Sequence, residues 1–473
     1  MKKFYITTSI AYVNAPPHIG FALESIQADV LARWRRQRDF DVFFLTGADE
    51  HGAKIVRAAE AAGSSPKKFT DEISEKFRNL KKVLNLSWDD FIRTSDQKRH
   101  WPNAQKIWKA IEKSGDLYKK IYRGRYCVGH EAFITEKDLE DGVCRDHKTK
   151  PETIEEENWF FKLSKYSEKI KKAIKKGGIE ILPESRKNEI LSLISDGLED
   201  VSFSRPNKDL SWGVPVPGDP DSTMYVWADA LSNYLLPEKY WPADIHVIGK
   251  DILRFHAAIW PGMLLSAGLK LPKKIFVHGF ITVDGQKMSK TIGNVVTPEE
   301  LVKKYGSDAV RYYLLREISS GEDGDYSEEK FKERYNGDLA NGLGNFAARV
   351  LALGEKLGEV DIDLKKVVER AISKTIDQTR KTVEKKVNEF KLHEALSAIW
   401  ELIGCGDAYV NEKKLWEGEK KNEILNAVVI LDNLAVLLVP FLPETSGKIT
   451  KAIHWSDKKT LRVSKIGVLF PRL

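Results

Sequence analysis

Apolar positions along this chain follow two rhythms. Short stretches at 4–8, 42–45, 245–248 and 275–277, rich in apolar, β-branched and aromatic residues, have the length and content of buried strands. Elsewhere the spacing is helical. Ile19, Leu23, Ile26, Val30, Leu31 and Trp34 fall on one face of a helix. Beyond Phe331 the pattern stays helical to about Ala452, most clearly over 392–408 and 424–441. The spacing predicts a strand-and-helix front half and a helical rear, with Asp49 and Asp251 at carboxyl ends of strands, where doubly wound sheets bind ligands. Cys405 falls in an apolar helical pattern and reads as a core thiol.

Length and charge narrow the classes. At 473 residues the chain can bury several cores, and three or four domains are expected. No apolar run approaches the roughly 18 residues of a membrane span. The first residues enter a strand pattern with no apolar leader, so a cytoplasmic setting is expected. Three cysteines make no disulfide framework. A net charge of +7 permits a nucleic-acid partner without requiring one.

Candidate chemistry sits in three stretches. In the first, Tyr12-Val13-Asn14-Ala15-Pro16-Pro17-His18-Ile19-Gly20 joins a strand to a helix. A Pro-rich loop and a helix N-terminus form an anion site, with His18 as a donor and Gly20 allowing close approach of a nucleotide. In the second, the strand at 275–277 leads through an Asp284-Gly285 turn to Lys287-Met288-Ser289-Lys290-Thr291. Two ammonium groups on such a loop suit charge that develops on a triphosphate as pyrophosphate leaves. A lone K-x-x-K would read as a solvated turn. In the third, Cys127-x-x-His130 and Cys144-x-x-His147 are spaced for a closed tetrahedral zinc site, or are two unrelated Cys/His pairs.

Together, His18-Ile19-Gly20 and Lys287-Met288-Ser289-Lys290 resemble the HIGH and KMSK signatures of class I aminoacyl-tRNA synthetases. Around them stand Phe43-Phe44-Leu45-Thr46-Gly47-Ala48-Asp49-Glu50-His51-Gly52, Tyr225-Val226-Trp227-Ala228-Asp229-Ala230-Leu231 and Ile248-Gly249-Lys250-Asp251-Ile252. In that order these segments are similar to the methionyl-tRNA synthetases, over essentially the whole chain. One position departs from the pattern: the second histidine of the HIGH signature is Phe21 here, and phenylalanine offers no donor to a triphosphate.

The resemblance implies a Rossmann-like, doubly wound parallel-sheet catalytic domain, split by a small zinc-binding insertion and followed by an all-α anticodon-binding helix bundle. Its expected boundaries are 1–110 and 217–270 for the catalytic halves, 111–216 for the insertion, 271–335 for the KMSK loop and stem-contact region, and 336–473 for the bundle. It implies ligation of L-methionine to tRNA(Met) using ATP and Mg²⁺, with one structural Zn²⁺, in a monomer with no membrane partner. It places methionine against Ile10, Tyr12, Asp49, Trp227, Ala230, Leu231, Tyr234, Ile252 and His256, with Asp49 taking the amino group. ATP falls to His18, Gly20, Phe21, Glu24, Gly249, Asp251, Lys287, Ser289, Lys290 and Thr291, of which His18, Lys287 and Lys290 are catalytic. Cys127, His130, Cys144 and His147 take the metal, and Asn345, Arg349 and Trp416 the anticodon. Without the resemblance, Trp227 and Tyr234 read as ordinary core, Glu24 as a solvated helix-face carboxylate and Arg349 as a surface arginine.

Overall fold

The computed structural model describes residues 1–473 apart from 131, 135, 147, 290, 291, 457 and 458, and apart from the side chains of 122, 132, 133, 137, 154 and 365. It divides into two compact units. One comprises Met1–Pro17, Asp39–Asn79 and Trp88–Val277; the other His18–Arg38, Leu80–Ser87 and His278–Leu473.

The first unit is organised by a six-stranded sheet in the spatial order Asp90–Arg93, Asp41–Asp49, Lys3–Tyr12, Ile245–Gly249, Lys274–His278, Glu180–Leu182. The first four strands pair in parallel, and so do the last two. The chain moves outward from Lys3–Tyr12 in one direction, then restarts on the other side with Ile245–Gly249. That reversal is the switch point where ligands bind in doubly wound sheets. The edge strand Glu180–Leu182 comes from within 111–216, and Phe161, Leu163, Ile170 and Ile190 from that segment share one core with Trp108, Trp260 and Ile275. The distal part of the segment is a separate antiparallel sheet, built on Leu117–Cys127 and Glu152–Phe161.

The second unit contains the helix Ile19–Arg36 and the rear helices Asn345–Glu355, Arg370–Asn388, Leu392–Glu412, Lys421–Leu438 and Pro443–Ala452. To the expected bundle the structure adds a three-stranded antiparallel sheet, Glu359–Asp361, Thr460–Val463 and Ile453–Ser456. One expectation is corrected. Cys405 is exposed, because Leu392–Glu412 turns Leu402, Ile403 and Gly406 inward instead.

Arg311 holds this unit together. It has no solvent exposure and pairs with Asp29 at 2.8 Å, in the middle of Ile19–Arg36. It also donates to three backbone oxygens, Phe441 and Pro440 at 2.8 Å and Leu84 at 3.1 Å. Asp29 also accepts from Arg33, from the Ser87 N–H and from the Ser87 hydroxyl. Burial pushes the Asp29 carboxyl up, but Arg311 and Arg33 outweigh it and hold the group below its ordinary value. Removing Arg311 leaves the buried Asp29 only Arg33 and Ser87, and takes the donor from three backbone oxygens. Arg311→Met should therefore cost about 3–5 kcal/mol of unfolding free energy. A denaturant midpoint at unchanged slope reads this, and a loss under about 1 kcal/mol would show that the clamp contributes nothing.

Candidate functional site

In the first unit, the strands Lys3–Tyr12, Asp41–Asp49 and Ile245–Gly249 end at Tyr12, Asp49 and Gly249. Tyr12 lies beside Asp49 in register and Ile10 beside Gly47. Residue 47 has to be glycine here: a Cβ would stand 2.3 Å from the Ile92 carbonyl oxygen and 3.0 Å from Ile10 Cγ2. Asp49 is 4% exposed, and the Thr94 hydroxyl lies 3.4 Å from its Oδ1. The short turn Lys250–Ile252 follows Gly249 directly and leaves Asp251 in solvent.

The expected side-chain slot is assembled from Val226–Ala230, from Leu231–Leu235 and from a π-helical stretch, Phe255–Ile259. The Tyr234 hydroxyl donates to His256 Nε2 at 2.8 Å, and His256 Nδ1 lies 3.0 Å from the Ile252 carbonyl. A carbonyl only accepts, so Nδ1 carries the proton and Nε2 the lone pair. Burial lowers the His256 pKa to about 4, so the ring is neutral at pH 7. Trp227 stands edge-on to His256 at 6.3 Å. Ala230 and Leu231 are buried, while Ile10, Tyr12, Trp227 and Ile252 are half-buried. Phe255, which the sequence reasoning missed, stacks on Trp227 with centroids 3.8 Å apart. Its signal was an aromatic one residue before His256, obscured because a π-helical turn breaks the 3.6-residue period.

In the second unit, His18 is the N-cap of Ile19–Arg36. Its Nδ1 accepts from the Gly20 N–H at 3.0 Å, which leaves the proton of a neutral ring on Nε2. A Cβ at residue 20 would meet the His18 ring at 2.8 Å, so the close approach Gly20 permits is that of this ring. The helix start is not the open anion site that the loop suggested. Ile19 N–H donates to the Val296 carbonyl, and Phe21 and Ala22 N–H both to the His18 carbonyl, at 3.1–3.2 Å. These donors are already engaged. Phe21 is half-buried in the first turn. Glu24 is 3% exposed, hence no solvated carboxylate, and lies 2.9 Å from His278 Nε2.

The lysine loop begins as expected. Asp284 and Gly285 both adopt positive φ, 49° and 74°, the geometry of a tight hairpin turn. Thr282 pairs with Lys287 across it, and Lys287 is exposed. Asn294, also missed, braces the loop: its oxygen takes the Ser289 N–H at 2.8 Å and its amide reaches the Lys287 carbonyl at 3.2 Å. Lys290 and Thr291 lie outside the described residues.

In the knuckle, ligand atoms of Cys127, His130 and Cys144 all lie within 4.8 Å of one another; His147 is outside the described residues. Cys144 Sγ is 3.5 Å from His130 Nδ1. A tetrahedral zinc with ordinary Zn–S and Zn–N lengths sets that edge at about 3.6 Å. His130 Nε2 meets Asp146 at 2.9 Å, as ring nitrogens opposite a metal commonly meet a carboxylate. Burial, with Cys144 alongside, raises the Cys127 thiol pKa, which a divalent cation would reverse. Among the described residues, the knuckle's own core is Cys127, Ile134 and Cys144, backed by Leu139. The donor set fits zinc.

On the rear helices, Asn345 and Arg349 lie one turn apart, and the Arg349 guanidinium is 5.7 Å from the Trp416 ring centre. Asp407 and Asn411, unremarked in the sequence, hold Arg349 at 2.7 and 2.6 Å. Trp416 is 55% exposed.

Comparison with known proteins agrees with this layout. The family model described as "tRNA synthetases class I (M)" matches residues 4–144 and 134–351. The chain is 41% identical to the methionine–tRNA ligase of Thermotoga maritima, over 99% of this chain and 78% of that protein. With the corresponding ligase of Rhizobium meliloti it shares 43% over 94% and 90% of the two chains. The structure of Mycobacterium tuberculosis methionyl-tRNA synthetase in complex with methionyl-adenylate superposes with a TM-score of 0.93 at 38% identity, covering both chains in full. With its expected signature residues set at the carboxyl edge of one unit and at the helix start and lysine loop of the other, and with this likeness along its length, the chain belongs to the methionyl-tRNA synthetases of class I.

Proposed function

We propose that the chain activates L-methionine with ATP to methionyl-adenylate and pyrophosphate, then transfers the methionyl group to the 3′-terminal adenosine of tRNA(Met) for initiation and elongation alike. One observation carries this most. A buried carboxylate, Asp49, stands at the carboxyl edge of the sheet in the unit that holds the slot of Trp227, Tyr234 and His256, in a chain built like a synthetase solved with methionyl-adenylate. Asp49 takes the substrate ammonium. The neutral His256 and the aromatic rings take the thioether, whose polarisable sulfur favours ring contacts. Ile10, Tyr12, Ala230, Leu231 and Ile252 complete the slot.

In the first step, a methionine carboxylate oxygen attacks the α-phosphorus and pyrophosphate leaves. No protein nucleophile is needed, so catalysis is positioning and electrostatics. His18 Nε2–H donates to a phosphate oxygen, and Lys287 and Lys290 meet the charge that grows on the leaving group. Gly20, Phe21, Glu24, Gly249, Asp251, Ser289 and Thr291 line the nucleotide. Mg²⁺ bound with the triphosphate supplies further neutralisation. Because the first helical N–H groups are spent internally, this chain leans on the lysines where Phe21 replaces a donor. In the second step, the terminal ribose 2′-hydroxyl attacks the mixed anhydride and AMP leaves. Asn345, Arg349 and Trp416 read the anticodon, and Cys127, His130, Cys144 and His147 would hold one structural Zn²⁺. We place the chain in the cytoplasm, where charged tRNA is consumed, as a monomer.

Methionine-dependent exchange of pyrophosphate into ATP tests the first step directly. Lys290→Ala should slow single-turnover adenylate formation by about 10²- to 10³-fold and leave methionine binding near normal. Weakened methionine binding with unchanged chemistry would sink the lysine's role.

Trp416→Ala should raise KM for tRNA, since stacking on an aromatic is worth about 1–3 kcal/mol per base, and should spare pyrophosphate exchange. Equal loss in both assays would mark Trp416 as structural.

Elemental analysis should find one zinc per chain. Cys144→Ser should release it and loosen the knuckle, detected by protease sensitivity within 117–161. Purified wild-type protein with an ordered knuckle and no zinc would refute the assignment.

A further inference from the structure

Asp229 lies between two residues of the slot, Trp227 and Ala230, yet faces away from water altogether: its exposure is 0%. Both of its oxygens are taken by histidines. Oδ2 is 2.6 Å from His51 Nδ1, and Oδ1 is 2.5 Å from His100 Nε2. Both rings are buried as well, at 1% and 0% exposure, and the outer nitrogens, His51 Nε2 and His100 Nδ1, have no partner among the described residues. Burial raises the Asp229 pKa, but the two imidazoles outweigh it and hold the group below its ordinary value, so the carboxylate is ionised.

The three residues come from three elements. Asp229 is on Val226–Ala230, His100 opens the helix His100–Lys113, and His51 lies two residues past Asp49. The loop carrying His51 is pinned at each residue. The Asp49 carbonyl takes the Val13 N–H. Glu50 is fully buried, takes Arg93 at 2.5 Å together with the Ser74 and Ser95 hydroxyls, and its N–H reaches Thr94 Oγ1 at 2.8 Å. The Trp212 indole donates to the Glu50 carbonyl at 2.5 Å. His51 links this loop to the element bearing Trp227 and Ala230. A second tie, the Asn103 amide to the Ser232 carbonyl at 2.5 Å, fastens His100–Lys113 to the same wall. An apolar trio of similar volume would pack at least as well energetically. What the charged trio adds is direction: two short charge-assisted bonds at fixed angles.

We infer that Asp229, clamped by His51 and His100, is a positioning residue that sets the distance between the ammonium-binding carboxylate of Asp49 and the slot wall of Trp227 and Ala230, and so the length of amino-acid side chain the site accepts. The inference rests on the methionine-site reading given above. A bound amino acid must reach Asp49 with its ammonium and the wall with its terminal methyl. The trio fixes that span without touching the substrate.

The test is pyrophosphate exchange by four variants: Asp229→Asn, His100→Gln, His100→Phe, and Asp49→Asn as the control on the site. Glutamine places an amide N–H near the position of the His100 Nε2 proton, whereas phenylalanine keeps the ring and loses the donor. Asp229→Asn and His100→Phe should raise KM for methionine by about tenfold or more, since small misplacements of a bound substrate cost up to about 10²-fold. KM for ATP should stay within about twofold, and methionine should lose ground to its shorter and longer homologues. His100→Gln should restore most of the methionine KM. Should Asp229→Asn fail to fold, the His100 pair decides alone. Methionine KM unchanged in both disrupting variants while Asp49→Asn is impaired overturns the inference. So does a joint rise in the KM for methionine and ATP, or equal behaviour of His100→Gln and His100→Phe. If Asp49→Asn is itself unimpaired, the methionine-site reading fails and the inference falls with it.

Discussion

An ionised side chain out of water must be met by opposite charge or by several hydrogen bonds, at a penalty of several kcal/mol if it is not. Both units are arranged around that demand. In the second, Arg311 has no exposure and draws Asp29, Leu84, Pro440 and Phe441 to itself. That one guanidinium joins the helix starting at His18 to the segment between the last two long helices. In the first unit the same demand is met at Glu50, by Arg93 and two serine hydroxyls, and at Asp229, by His51 and His100. The candidate carboxylate Asp49 therefore adjoins residues whose own charges are already satisfied.

The two kinds of candidate site differ in how they treat charge. The slot around His256 is neutral, because burial keeps the imidazole unprotonated and the Ile252 carbonyl fixes its tautomer. A thioether gives up little hydration on entering it. The lysine loop is the opposite: Lys287 is exposed, on a hairpin braced by Asn294. Exposed ammonium groups keep their mobility until a polyanion orders them, which suits charge that appears only as a bond breaks.

Candidate site residues at the end of a regular element were legible in the sequence as to their place in the fold. Asp49 and Asp251 sit at the carboxyl ends of strands, where the strand pattern put them, and Asn345 and Arg349 share a helix face. Legibility failed where the partner is remote in the chain. Nothing local distinguishes Asp229 from any other helical aspartate, since His100 is 129 residues away. Glu24 reads as solvated until His278, 254 residues on, is placed against it. The edge strand Glu180–Leu182 is three residues long, too short for an alternation pattern. Cys405 failed for another reason: among apolar neighbours, a single residue's angular position about the helix decides its burial, and composition does not report it. The helix start misled in a third way. The loop's composition suits an anion, but the N–H groups had been assigned by the backbone before any ligand was considered.

His18 serves two masters with one ring. Nδ1 caps a helix, and that bond puts the proton of the neutral ring on Nε2. Folding and the chemistry proposed for His18 thus share a single tautomeric choice. On the role proposed for His18, a replacement that preserves only the cap would yield a well-formed protein with a silent site, and one that preserves only the donor would fray the helix carrying Glu24 and Asp29. Such a position can drift only by a change that solves both problems at once, which isolates it from gradual substitution far more than its solvent exposure would suggest.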